Sequence, residues 1–90
     1  MGKMNFKEVQ VKDIEGNNST LDIAKELGNM IFRQTSDLGE LELARRIYKG
    51  EDMELSVEEA GIVKRYVEEG FLAFVKESLI PQLDEIINPK

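Results

Sequence analysis

The sequence predicts an α+β fold dominated by helix, with an N-terminal β-hairpin followed by three to four helices. Three observations lead there. The longer apolar/polar alternations fall in about the first quarter of the chain, apolar spacing of three and four residues begins near Ile23, and helix-capping signatures stand at Asp37 and Ser56. Leu, Ile, Val and Phe supply 27 of the 90 residues, too many for a disordered chain, and the length suits one domain spanning 1–90. A domain this small buries only about two-thirds of its extended surface, so contact with a second copy or a partner would add to a thin margin of stability.

Val9 and Val11 alternate with Gln10 and Lys12, which predicts a strand between Phe6 and Ile14. The turn-rich run Asp13-Ile14-Glu15-Gly16-Asn17-Asn18 ends it, and Thr20-Leu21-Asp22-Ile23 alternates again as a return strand. A helix capped by Ser19 or Thr20 competes for that stretch, because Ile23, Leu27, Met30 and Ile31 share one helical face. The expected arrangement is a short return strand running into a helix over Ile23–Gln34, with Gly28 marking a bend or a close packing contact.

Asp37 with Glu40 forms a capping box, Leu38, Leu41, Ala44, Ile47 and Tyr48 supply one apolar face, and Gly50 closes that helix. Glu42 stands four residues before Arg46, the favourable order for a surface ion pair. Met53-Glu54-Leu55 has room for a residue or two of strand. Ser56 with Glu59 then caps the longest helix, expected over Val57–Leu79 as the organiser of the fold. Pro81 is expected to stop or kink it, with a last turn or two to Ile87 that puts Leu79, Leu83, Ile86 and Ile87 on one side.

The composition removes most catalytic designs. With no cysteine there are no disulfides, thiolate nucleophiles or sulfur-ligated zinc, and with no histidine the chain lacks the usual neutral-pH base and the commonest transition-metal ligand. No enzyme activity and no cofactor are expected. No signal-like apolar segment opens the sequence, and no apolar run approaches the roughly 18 residues that cross a bilayer, so a cytoplasmic location is expected. Gly2 does not complete a myristoylation motif, because Phe6 stands where that motif wants Ser or Thr.

The net charge of −6 is unevenly placed. Residues 1–50 carry eight basic and eight acidic side chains, and residues 51–90 carry four basic and ten acidic. Such a field repels phosphate backbones and anionic membranes, so direct binding to either is not expected.

The remaining motifs have ordinary explanations. The overlapping sequons at Asn17-Asn18-Ser19 and Asn18-Ser19-Thr20 read as turn residues. The spacing of Asp13, Glu15 and Asn17 loosely suggests a calcium loop, but Gly16 is displaced from the required position and Ala24 stands where the bidentate glutamate belongs. Arg45, Arg46 and Lys49 beside Tyr48 form the one basic cluster. A helix-turn-helix reading fails on Glu58 and Glu59 in the would-be recognition helix, and basic residues in a last turn oppose the helix dipole. The acid pairs Glu58-Glu59, Glu68-Glu69 and Asp84-Glu85 lie beside apolar stripes, where solvated carboxylates sit.

Phe71-Leu72-Ala73-Phe74-Val75, five consecutive apolar residues, fit on no single helical stripe. They belong either to a central helix wrapped by the rest of the domain or to an interface, one side in the core and the other against a second copy or a partner. On the interface reading Ile62, Tyr66, Phe71, Leu72, Phe74, Val75 and Leu79 carry the contact, and a homodimer is the expected assembly.

The run VQVKDIEGNNSTLDI, then ELARRIYKGEDMELS, then VKRYVEEGFLAFV, in a small acidic chain without cysteine or histidine, resembles small phage and prophage proteins. The resemblance spans most of the chain and implies a virion-assembly or accessory role, such as a tail or head chaperone. A protein–protein interaction or structural module is therefore the expected function. The contrasting expectation is an acidic nucleic-acid mimic that occupies a host enzyme's basic groove.

Overall fold

A computed structural model describes residues 2–88 and has the expected class: short antiparallel strands followed by four helices, with helix dominant. In chain order the elements are β1 (Gly2–Met4), β2 (Val9–Lys12), β3 (Asn18–Leu21), α1 (Ala24–Gln34), α2 (Leu38–Lys49), β4 (Met53–Leu55), α3 (Val57–Gly70) and α4 (Ala73–Ile87).

The hairpin is β2–β3, paired from Val9 opposite Leu21 to Lys12 opposite Asn18. Asp13 builds its turn, its carboxylate accepting from the amides of Glu15 (3.0 Å) and Asn17 (2.9 Å) while Gly16 takes φ +85°. β2 is shorter than the alternation predicts, and β3 keeps the expected four residues but starts at Asn18, two positions before Thr20. Asn5 bends the chain before β2 by accepting from the Lys7 amide, which leaves Phe6 buried beneath the hairpin and not within a strand.

Alternation gave no sign of β1, a three-residue strand whose partner is β4, with Gly2 opposite Leu55 and Met4 opposite Met53. Lys3 faces Glu54 across this pair, an opposite-charge neighbour on the exposed side. Gly2 has a packing reason to be glycine, since a Cβ there would come within 2.6 Å of Ile86 Cγ1 in α4.

α1 begins one residue later than expected, and Asp22 accepts from the Ala24 amide at its start. It packs along α2, where Gly28 is the point of closest approach: a Cβ would stand 2.9 Å from Tyr48 Cβ and 3.0 Å from the Ala44 carbonyl oxygen. That approach rotates α2 away from the expected face. Leu43, Ala44 and Ile47 are buried, whereas Leu38 and Tyr48 are exposed.

The capping box at α2 is only half made. Asp37 accepts from the Gly39 amide at 2.8 Å, but Glu40 turns inward to the hydroxyls of Thr35 and Tyr66, both at 2.9 Å. The expected Glu42–Arg46 pair is also replaced. Glu42 holds Arg45 at 2.7 Å, and Arg46 reaches across to Glu59 at the start of α3.

The box at α3 is complete, with Ser56 Oγ accepting from the Glu59 amide and Glu59 accepting from the Ser56 amide. The single long helix expected over Val57–Leu79 is two helices. α3 ends at Gly70, Phe71 and Leu72 are extended, and α4 restarts at Ala73 and continues through Pro81 to Ile87. Gly70 lets the end of α3 press on the Met30 side chain of α1, space that any Cβ would occupy. The extended residues Phe71 and Leu72, and not Pro81, divide the segment. Pro81 and Glu77, whose carbonyl loses its helical donor, both lie on the exposed side of α4.

α4 covers the outer edge of β2, where Ser78 Oγ accepts from the Lys12 amide and Gln82 Nε2 donates to the Gln10 carbonyl, both at 3.2 Å. The buried side chains form one hydrophobic cluster, with Phe6, Leu27, Ile31, Leu55, Val63, Val67, Leu79 and Leu83 fully enclosed. Among the described residues no polar or charged side chain is buried and none leaves a buried donor or acceptor unpaired.

Candidate functional site

The α3–α4 junction sorts the seven nominated residues by position. Tyr66, Val75 and Leu79 belong to the core, so they are closed to a partner, and Ile62 and Phe71 are half-buried against it. Leu72 and Phe74 stand out, at 71% and 44% exposure.

Leu72 is the N-cap of α4, with its carbonyl accepting from the amides of Val75 and Lys76 at 3.1 Å. Its side chain caps nothing. Ser, Thr, Asp or Asn at such a position would accept from an orphan amide and add about 1 kcal/mol. An exposed leucine forgoes that bond and places a hydrocarbon in water as well.

Beside Leu72 lies a hollow of about 260 Å³ between the junction and the start of α1. Phe71, Phe74 and Val75 form its wall on one side, and Leu21 and Ile23 on the other. Its charged members are Asp22 and Glu26, both exposed, and Glu68 and Glu69 precede the junction in the last turn of α3. Lys76 is the nearby cation, its ammonium donating to the Glu68 carbonyl at 3.2 Å. The volume falls below the roughly 300 Å³ at which small-molecule pockets begin, and suits one or two side chains of a macromolecule.

A second concavity, of about 400 Å³, runs between α1 and α2. Gly28 opens its floor, Phe32 and Tyr48 stand 46% and 45% exposed on its walls, and Arg45, Arg46 and Lys49 supply positive charge. The Arg45 guanidinium sits 5.9 Å from the centre of the Phe32 ring, within cation–π range. Arg45, Arg46, Tyr48 and Lys49 are the basic cluster visible in the sequence. Phe32 was missed, and its signal is its place off the stripe of Leu27, Met30 and Ile31. Ile14, Leu38 and Val57 are also exposed, but none lines either concavity.

Four carboxylates, Glu40, Glu42, Glu59 and Asp84, are paired with basic side chains of the same chain. Glu40 takes Thr35, Tyr66 and, at 3.4 Å, Arg65, and Asp84 takes Lys64 at 2.7 Å. That hydrogen bond from Lys64 to Asp84 holds the ammonium above its ordinary pKa. Partial burial opposes ionisation of Glu59, but the Ser56 amide and Arg46 outweigh it and hold the carboxyl below its usual range.

Among the described residues, no group of three or more carboxylates is placed to hold a metal ion, and no helix is long and apolar enough to cross a membrane. Comparison of the chain with protein-family models, with curated proteins and with solved structures finds no match.

Proposed function

We propose that this chain is a non-enzymatic protein–protein interaction module that docks a partner on the α3–α4 junction. One observation carries the reading: an exposed leucine occupies a helix N-cap, where both local stability and solubility favour a small polar residue. Such a conflict between local preference and sequence marks a position kept for contact. Phe74 extends the apolar surface, and Asp22 and Glu26 beside it favour a partner with basic groups around an apolar side chain. A cytoplasmic assembly or accessory role, as implied by the resemblance to small phage and prophage proteins, is a setting in which such a module works.

The alternative of a nucleic-acid mimic needs unneutralised carboxylates spread over one face. In the acidic C-terminal half Glu59 and Asp84 are instead paired with Arg46 and Lys64, and Glu68 and Glu69 flank the exposed apolar Leu72 and Phe74, which favours the module. A photo-crosslinking amino acid at position 72 or 74, in the cells that make the protein, is expected to form a discrete protein adduct, and one at position 14 is not. Equal labelling from all three positions would sink the proposal.

A further inference from the structure

We infer that the partner at the junction is a second copy of this chain, which presents its α1–α2 groove, so that copies join head to tail. The inference rests on the junction being a docking face, and it names the occupant from the other concavity on the same molecule.

The two surfaces differ in the ways that make them complementary. The junction projects Leu72 and Phe74 among Asp22, Glu26, Glu68 and Glu69, with Lys76 the opposing charge. The groove is concave and aromatic, and Arg45, Arg46 and Lys49 stand there against Glu42. Arg45 and Arg46 already hold Glu42 and Glu59. Lys49 has no carboxylate within 4.0 Å among the described residues and remains for an acid from outside. An apolar side chain seated between Phe32 and Tyr48 would cover both exposed rings, while the acids of the junction meet the cations of the groove.

Their placement fixes the symmetry. At about 100° per residue, the mean direction of Gly28, Asn29 and Phe32 on the groove side of α1 and that of Glu26 and Met30 towards the junction lie about 130° apart. A contact between unlike faces that diverge in this way around one helix is heterologous. It leaves one groove and one junction unfilled at the ends of every assembly, and it grows into a ring or an open chain. The two-fold homodimer expected from the sequence would instead bury the same patch on both copies.

The test is sedimentation of the full chain over a concentration series reaching the millimolar range, with Leu72→Glu to block the junction and Arg45→Glu to block the groove. The weight-average mass of the unaltered protein should climb past twice the 10.3 kDa of the monomer, and each variant alone should stay monomeric. An equimolar mixture of the two variants should form a dimer and stop there, because each brings one intact face. Circular dichroism confirms folding, and Leu72→Ser with Arg45→Ala replaces any variant that does not fold. A mass that levels off at a two-fold dimer, or a mixture that stays monomeric, overturns the inference. If the unaltered protein stays monomeric while a crosslinker at position 72 captures a different protein, the inference falls and the docking face stands. If neither copy nor partner is captured, both fall.

Discussion

The Tyr66 hydroxyl donates to Glu40 Oε1 at 2.9 Å, tying the third helix to the first turn of the second. The ring is otherwise buried, so this bond accounts for a tyrosine where phenylalanine would fill the core equally well. Tyr66→Phe leaves Glu40 with Thr35 and Arg65, and it should cost about 1 kcal/mol, read as a lower urea midpoint at unchanged slope.

Gly28 and Gly61 both sit inside helices but should respond oppositely to alanine. Gly61 has nothing within 4 Å of a built Cβ, so Gly61→Ala gains helix propensity and should stabilise by up to about 1 kcal/mol. Gly28→Ala meets Ala44 backbone and Tyr48 at about 3 Å, and it should destabilise despite the same propensity gain. Thermal unfolding of the two variants side by side decides this.

Glu59 makes stability depend on pH with a definite sign. Its carboxyl titrates below the ordinary value of 4.5 in the folded chain, so its contribution is present above that value and disappears as pH falls through the lower folded-state pKa. Glu59→Gln should therefore narrow its stability deficit against the unaltered protein as pH is lowered across that window, measured as urea midpoints.

Leu72→Asp should separate stability from association. Aspartate at the N-cap of α4 supplies the missing acceptor beside a favourable dipole end, and it should raise stability by about 1 kcal/mol. The same change removes the exposed apolar contact, so binding at the junction should be lost while the melting temperature rises.

The sequence disclosed what depends on near neighbours. Ser56 and Glu59 close their box across three residues, and Asp13 and Gly16 build their turn within five, so both were legible. The break at Gly70–Leu72 was not, because FLAFV alone reads as continuous helix and the contact of Gly70 with Met30 of α1 is distant along the chain. Glu40 likewise left its expected cap for Tyr66, a partner that no local pattern names. For the candidate site, the apolar run pointed to the right place but mixed two populations. Leu72 and Phe74 face outward and Val75 and Leu79 inward, a division that follows from where α4 restarts.

The pairing of β1 with β4 sets an order of events during synthesis. The α1–α2 hairpin draws on contacts close in sequence and can form while later residues are still within the ribosome. The first strand cannot. Gly2 must wait for Leu55 to emerge as its ladder partner, and for Ile86 to arrive before it is covered, so the beginning of the chain is among the last parts to be locked. Until then its unpaired strand remains open to chaperones, to other nascent chains and to proteolysis.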